Sequence, residues 1–138
     1  MNPIVRRQQA TQKTLDRYRN KTLDFSRGIT CVHMARYHLR ALGHRPRTMP
    51  RIRSVMGAKR ALASNGWDSV KDMFDSMLPR IAPARMMVGD LGTIPGEHGL
   101  DSVLVCAGPF KMLGWHPETG EFVQYDGGNA EVEGVWSV

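Results

Sequence analysis

Residues 25–42 carry the pattern from which the fold class can first be inferred, FSRGITCVHMARYHLRAL. Gly28 belongs to a turn, and Thr30 is a residue type that caps helix N-termini by accepting a backbone hydrogen bond. Apolar residues then recur on one helical stripe at Val32, Ala35, Leu39 and Leu42. Gly43 follows as a typical helix stop. The pattern predicts a core helix over 31–42 that begins at a cysteine.

Three further helices are predicted around it. Residues 5–22 are polar, basic and free of Gly and Pro, which indicates a helix covering a surface. Residues 54–64 form a second, closed by Asn65-Gly66. The third is capped by Asp68 and stopped by Pro79. Its apolar positions have clear helical spacing: Val70, Met73, Phe74, Met77 and Leu78.

From residue 85 the chain changes to short apolar runs separated by turns. Residues 102–107, SVLVCA, suit a buried strand that Gly108-Pro109 ends. Further strands are predicted at 110–115, 121–125 and 131–135, with PETG and DGGN turns between them. Helices first and strands after predict an α+β domain, with N-terminal helices packed on a mostly antiparallel C-terminal sheet.

Length and composition predict one domain over residues 1–138. Within it we distinguish a basic helix at 1–22, a helical part at 23–80 and a sheet part at 85–138. With 41% hydrophobic and 23% charged residues, the composition argues against disorder. The sequence has no apolar run of about 18 residues, so no membrane span is predicted, and no secretory signal is recognised. Two cysteines 75 positions apart do not suggest a disulfide framework and favour synthesis in a reducing compartment.

Charge is distributed very unevenly along the chain. Residues 1–60 hold 15 Lys and Arg against two acids, a net of +13, whereas residues 61–138 have a net of −7. The cations follow the first helix and the later connector: Arg6, Arg7, Lys13, Arg17, Arg19, Lys21, Arg45, Arg47, Arg51 and Arg53. Such stripes suit an acidic protein neighbour or nucleic acid. The sequence shows no interleaved aromatic platform and no DNA-binding motif, which disfavours nucleic acid.

Cys31 is the foremost candidate for chemistry. Backbone N–H groups and the helix dipole at a helix start favour a thiolate, and Arg27 is near in sequence. A thiolate held in this way is the nucleophile of Cys–His hydrolases. The alternative is that Cys31 is a small buried apolar residue, since free cysteine is often buried.

The order of motifs resembles the papain-like cell-wall cysteine peptidases of the NlpC type, and especially their short relatives in phage and gene-transfer-agent tail clusters. Four pieces carry the resemblance over about residues 14–138. They are Phe25, Gly28 and Cys31; Gly57-Ala58 with Arg60-Ala61-Leu62 and Gly66; Gly89-Asp90-Leu91; and Ser102 to Gly108.

This resemblance implies a papain-like fold in which Cys31 faces a histidine at the start of a strand, with a third polar residue on the next strand. Two positions depart from the family pattern. Ser102 stands where the family has its histidine, and Thr30 where an Asp is common. A serine hydroxyl does not titrate near neutral pH, so it cannot replace the base. His98, in the loop before Ser102, and His116, near the next strand, are the candidate bases.

Three functions follow as hypotheses. The first, which rests on the resemblance, is a structural tail-tip or baseplate component with a degenerate active site. It would be made in the host cytoplasm, assembled into the virion tail and docked on acidic tail proteins. The second is an active peptidase or amidase acting on cell-wall peptides, with Cys31 as nucleophile. The third is a basic nucleic-acid-binding protein. No cofactor is expected, and a zinc site from Cys31, His33, Cys106 and His116 lacks standard ligand spacing.

Overall fold

The computed structural model describes residues 2–126 and 132–138. Four helices precede a six-stranded sheet. The helices are α1 Pro3–Tyr18, α2 Cys31–Ala41, α3 Val55–Ser64 and α4 Val70–Asp75. The strands are β1 Arg80–Ile81, β2 Leu91–Ile94, β3 Ser102–Gly108, β4 Lys111–Trp115, β5 Phe122–Asp126 and β6 Gly134–Trp136. This arrangement confirms the predicted α+β layout.

Side-chain caps fix where the helices start. The side chain of Thr30 accepts a hydrogen bond from the His33 N–H at the start of α2, as predicted. Ser54 does the same for the Gly57 N–H at α3. Asn2 caps α1 by accepting from the Ile4 N–H, and Pro3 occupies the first helical position.

Helix α1 ends at Tyr18, four residues earlier than predicted, with Arg19 as its C-cap. Its inner face consists of Ala10, Thr11, Thr14, Leu15 and Tyr18, which are all buried. The prediction of a helix with few apolar contacts missed the two threonines. Their hydroxyls have acceptors within hydrogen-bond distance, the Arg7 carbonyl for Thr11 and the Ala10 carbonyl or His38 Nδ1 for Thr14, so they can be buried without an unsatisfied donor.

The boundaries predicted for α4 were wrong at both ends. Ser69, not Asp68, is the N-cap and accepts from the Asp72 N–H at 3.1 Å. The helix stops at Asp75 rather than at Pro79. The Met77 N–H donates to Phe74, only three residues back, which is the tighter geometry of a frayed last turn. Leu78 still lies in the core at 6% exposure, so its apolar character reflects packing rather than helix continuation.

The strand order is β1-β6-β2-β3-β4-β5, and every pairing in the described residues is antiparallel. Strands β3, β4 and β5 lie within one or two residues of their predicted positions. Strands β1 and β2 were not predicted. The predicted 131–135 strand is observed as Gly134–Trp136, and the start of that prediction, like the 127–129 part of the DGGN turn, lies outside the described residues.

The main core lies between the helices and one face of the sheet. Phe74 of α4 packs on Trp136 of β6 with ring centroids 5.1 Å apart, and Tyr18 of α1 packs on Trp115 of β4 at 5.6 Å. The opposite sheet face has a smaller apolar cluster around Ile94, Leu104 and Met112. None of the helices in the described residues is both long and apolar enough to span a bilayer.

Candidate functional site

Cys31 is the first residue of α2 and lies beside the start of β3. Its Sγ donates to the backbone carbonyl of Asp101 over 3.7 Å. The side chain is 5% exposed, and its neighbours belong to the core between helices and sheet. A cysteine that opens a helix and contacts the first long strand is the arrangement that the Cys31 hypothesis requires.

The electrostatics of the thiol oppose an activated nucleophile. Burial raises the pKa of Cys31 to about 11. The backbone N–H of Val103 in β3 and those of Cys31 and Val32 at the helix start act in the opposite direction, but desolvation outweighs them. At neutral pH the sulfur is therefore held as the protonated thiol.

A pocket of about 200 Å³ opens next to Cys31. Its walls are mostly apolar and come from four places in the chain. They include Phe25 from the turn before α2, Val55 from α3, and Leu100 and Pro117 from the two loops at this edge of the sheet. Of the candidate site residues, Cys31, His98 and Ser102 line this pocket together.

Ser102 is the first residue of β3 and is 8% exposed. Its Oγ donates to the carbonyl of Trp115 over 3.3 Å. The hydroxyl thus ties the start of β3 to the end of β4. At the position where the resemblance expects a base, the chain has a hydroxyl already used in a structural hydrogen bond.

His98 lies in the loop before β3, on the outer rim of the pocket. Its side chain is 72% exposed, and its Nε2 is 3.8 Å from the Glu97 carboxylate. Its backbone has φ 57°, an uncommon conformation for a residue with a side chain. The loop therefore presents this imidazole to solvent, and no hydrogen bond joins it to Cys31 in the described residues.

His116 follows β4 and organises the turn into β5. Its Nδ1 accepts from the backbone N–H groups of Glu118 at 3.2 Å and Thr119 at 3.4 Å. Its ring stacks on Tyr125 with centroids 6.5 Å apart and planes within 9°. His116 does not line the Cys31 pocket, so this candidate base is held in a turn instead.

An ionic cluster that the sequence analysis did not single out adjoins the pocket. Lys71 of α4 contacts Glu133 at 2.6 Å and Asp101 at 3.4 Å. Burial raises the pKa of Asp101, against the lowering effect of Lys71. Because the Asp101 carbonyl accepts from Cys31, this cluster lies directly beside the thiol. The three residues are far apart in the chain, so no local motif reveals them.

The zinc set considered from the sequence is not brought together. Cys106 lies further along β3, where its Sγ donates to the Gly108 carbonyl at 3.3 Å, whereas Cys31 lies at the strand start. Within residues 2–126 and 132–138, no three His, Cys, Asp or Glu residues are grouped so that they could hold a metal ion.

Three cations of the N-terminal region gather on one surface, here called the basic helix face and defined by Lys13 and Arg17 of α1 and Lys21 after it, with Tyr18 and Tyr37. Arg17 lies over the Tyr37 ring at 4.6 Å and over the Tyr18 ring at 5.7 Å. Lys13 also lies over the Tyr37 ring, and Lys21 over the Tyr18 ring. The sequence showed no aromatic interleaving because Tyr37 comes from α2, and only the packing of α2 on α1 places it among these cations.

Almost none of the basic half is neutralised internally. In the part of the chain that the structure describes, Arg7 is the one cation before residue 61 that forms an ion pair with a carboxylate, that of Asp90 at 2.6 Å. Within the described residues this single ion pair therefore joins the basic and the acidic half, and most of the remaining positive charge faces outward.

No curated protein matches this chain. Residues 4–138 match a family described as a domain of unknown function, DUF6950. The match covers α1 to the end of the chain and therefore includes Cys31, its pocket and the whole sheet. The protein belongs to the DUF6950 family.

Proposed function

We propose that this protein is a non-hydrolytic component of a phage-type tail tip or baseplate, built on a papain-like domain of the NlpC type whose active site has degenerated. The observation that carries the loss of activity is the state of Cys31. The thiol donates to the Asp101 carbonyl, is nearly inaccessible and has a pKa raised by burial to about 11.

Neighbouring groups support the same conclusion. A papain-like hydrolase needs an imidazole within hydrogen-bond reach of its sulfur. By the resemblance, Ser102 stands at the position of that imidazole, and its hydroxyl donates to the Trp115 carbonyl. His98 is solvent-exposed and His116 is engaged in a turn. The apolar pocket remains, but within the described residues no imidazole is hydrogen-bonded to the Cys31 sulfur.

The role in a tail rests on the resemblance of the motif order to tail-cluster relatives, together with the basic helix face. Within the described residues, the cations of the basic helix face have no carboxylate partner, so a neighbour with an acidic surface fits this face. Arginine and lysine side chains already packed over aromatic rings lose less conformational freedom on docking than free ones. By this proposal the protein is made in the host cytoplasm and incorporated into particles.

A thiol-labelling and wall-clearing experiment tests the loss of activity. Iodoacetamide should modify Cys31 slowly at neutral pH, and purified cell-wall material should show no clearing by the protein. The wild type and Cys31→Ala should behave alike in the clearing assay, with an active cysteine peptidase as positive control. Clearing that depends on Cys31 would refute the proposal.

Particle incorporation tests the tail role. A tagged chain produced during particle assembly should co-purify with tails and be located at the tail end by immunogold labelling. Lys13→Glu with Arg17→Glu should reduce incorporation strongly, whereas Arg45→Glu with Arg60→Glu, which reverses the same charge elsewhere, should not. Equal incorporation of both variants would show that the basic helix face is not the docking surface. Absence from particles would overturn the tail role.

An active peptidase or amidase is the second candidate, and the position of His98 on the rim of the Cys31 pocket favours it. Movement of the exposed loop over 97–99 would bring this imidazole towards the sulfur. In that case His98→Ala should abolish wall clearing as completely as Cys31→Ala, while His116→Ala should leave it. Clearing unaffected by His98→Ala would exclude this base.

A further inference from the structure

A second pocket, separate from the Cys31 pocket, lies on the other side of the turn before α2. It has a volume of about 310 Å³. Its polar wall comes from Arg27 and Ser26 in the turn, His33 in α2, and Arg51 and Arg53 in the connector before α3. We call this the arginine cleft. Among the residues that the structure describes, no carboxylate side chain lines it.

The three guanidinium groups of the cleft have few competing interactions. Within residues 2–126 and 132–138, no hydrogen bond or ion pair engages the side chain of Arg27, Arg51 or Arg53. The hydrogen bond from Ser26 and, to a smaller extent, Arg27 lower the pKa of the nearby Asp24 carboxylate, but Asp24 Oδ1 already accepts hydrogen bonds from the backbone N–H and the hydroxyl of Ser26. The donors of the cleft are therefore available to a ligand.

His33 adds a directed neutral donor. Thr30 Oγ1 accepts from the His33 backbone N–H and lies 2.7 Å from Nδ1. In the tautomer in which the threonine hydroxyl donates to Nδ1, the imidazole proton lies on Nε2 and is available to a ligand. Nε2 lies over Gly28, where an added Cβ would be 3.6 Å away. Glycine, at φ 72°, thus keeps the approach to this N–H open.

We propose that the arginine cleft binds a phosphate group. Three guanidinium groups and one imidazole N–H supply more donors than the two oxygens of a carboxylate can accept well, whereas a phosphate offers three or four acceptor oxygens. Arginine matches phosphate with paired, fork-like hydrogen bonds. The shared chemistry is that of free phosphate and of a nucleic-acid backbone. The inference does not depend on the state of Cys31 or on a role in tails.

Nuclear magnetic resonance titration of the intact chain tests this proposal at neutral pH. Sodium phosphate should shift the Gly28 amide and His33 ring signals in a saturable way, and sodium acetate at equal ionic strength should not. Arg51→Gln with Arg53→Gln should weaken binding about tenfold or more, since each charged hydrogen bond is worth about 1.5–3 kcal/mol. Arg45→Gln with Arg60→Gln removes the same charge outside the cleft and should leave the affinity unchanged.

Non-saturable shifts, equal shifts with acetate, or equal weakening in both double variants would overturn the proposal. If Arg51→Gln with Arg53→Gln does not give a dispersed spectrum, Arg27→Gln is the second test and should weaken binding in the same direction. A short single-stranded oligonucleotide identifies the source. An oligonucleotide that competes with phosphate, binds more tightly than phosphate and loses this affinity in the cleft variant would assign a nucleic-acid backbone as the ligand. Tighter binding of phosphate than of the oligonucleotide would assign the free anion.

Discussion

Cys31 and His38 are two buried residues in α2 whose neutral forms the folded state favours. His38 is fully buried, with Nε2 2.7 Å from the Gly89 carbonyl and Nδ1 2.8 Å from Thr14 Oγ1. The Cys31 thiol donates a hydrogen bond to the Asp101 carbonyl. These contacts of His38 and Cys31 join α2 to elements distant in sequence, so the protonation of each group is coupled to folding.

Alkaline pH should destabilise the protein through Cys31. The folded-state pKa is raised by burial to about 11 from an ordinary value of 9.0, so the unfolded chain loses its proton first. Stability is therefore complete below pH 9 and falls as pH rises towards 11, by on the order of 2–3 kcal/mol for this group. Urea unfolding across this range should show a shallower fall for Cys31→Ala.

Cys106→Ala is the control for that slope, because it leaves the share of Cys31 in place. Burial also raises the pKa of Cys106, but by less than that of Cys31. Removing Cys106 should therefore flatten the pH profile less than removing Cys31. A slope unchanged in Cys31→Ala would mean that the thiol is not buried in solution.

Acidic pH should destabilise the protein through His38. Burial lowers its pKa, so the unfolded chain gains the proton first as pH falls. The contribution of His38 is present above about pH 6.5 and is lost as pH falls below that value towards the folded-state pKa. The unfolding free energy of His38→Gln should depend less on pH between 7 and 5. His98→Gln, which changes an exposed side chain, should keep the wild-type dependence.

At the scale of elements, two contacts attach the outer helix and the central strands to the rest. Arg7 of α1 reaches Asp90 before β2 and also donates to the carbonyl of Val138 at 3.0 Å. Gly114 of β4 passes close to β3: an added Cβ would lie 2.8 Å from the Val103 carbonyl oxygen and 2.6 Å from Leu104.

Arg7→Ala should cost about 3–5 kcal/mol of unfolding free energy, because it leaves the Asp90 carboxylate buried at 1% exposure without its cation. The backbone N–H groups of Met87 and Val138 still donate to Asp90 but carry no full charge. Arg19→Ala, at the exposed end of the same helix, should stay within about 0.5 kcal/mol of wild type. Urea denaturation of the three proteins measures both values, and equal losses would contradict the role given to the ion pair.

Gly114→Ala should destabilise more than Gly92→Ala, although both add one methyl group to a central strand. At position 114 the obstruction includes backbone, which cannot yield without moving β3. At position 92 the nearest atom is the flexible end of Met112, 2.6 Å away. We expect about 1–3 kcal/mol or more at Gly114 and less at Gly92, from thermal or urea unfolding. The reverse order would indicate that the β3–β4 contact is looser than the structure shows.

At the scale of the whole molecule, the main core joins both layers. Phe74 and Tyr18 of the helical layer pack on Trp136 and Trp115 of the sheet, and α2 supplies Val32, Ala35 and Leu39 between them. Charge does little of this joining, since one basic residue of the first 60 forms an ion pair within the described residues.

This shared core predicts one cooperative unfolding transition, as the single-domain interpretation of the sequence also requires. In a Trp67→Phe variant, far-ultraviolet circular dichroism, which follows the helices, and fluorescence of the sheet residues Trp115 and Trp136 should give the same urea midpoint. Two separate midpoints would show that helices and sheet unfold independently. As a control, both measurements are repeated at the same added salt concentration. Screening of charges should shift the circular dichroism and fluorescence midpoints by the same amount.

Local signals in the sequence were sufficient for α2 and for the order of helices and strands. A cap, an apolar stripe and a terminal glycine act within a few residues, so Thr30, Cys31 and Gly43 could be assigned without tertiary contacts. The run from Ser102 to Gly108 was likewise recognisable as a buried strand. That Cys31, Ser102 and His98 lie near one site was expected only from the resemblance to NlpC-type peptidases, and all three line one pocket.

The tertiary structure decided the rest, because the deciding contacts join residues far apart in the chain. Strand β2 exists through its pairing with β3 and β6. Tyr37 joins the cations of α1 only through helix packing, and the arginine cleft forms where the connector meets the turn before α2. The sequence alone placed Cys31 where a helix favours the thiolate, but the burial that raises its pKa comes from the folded core.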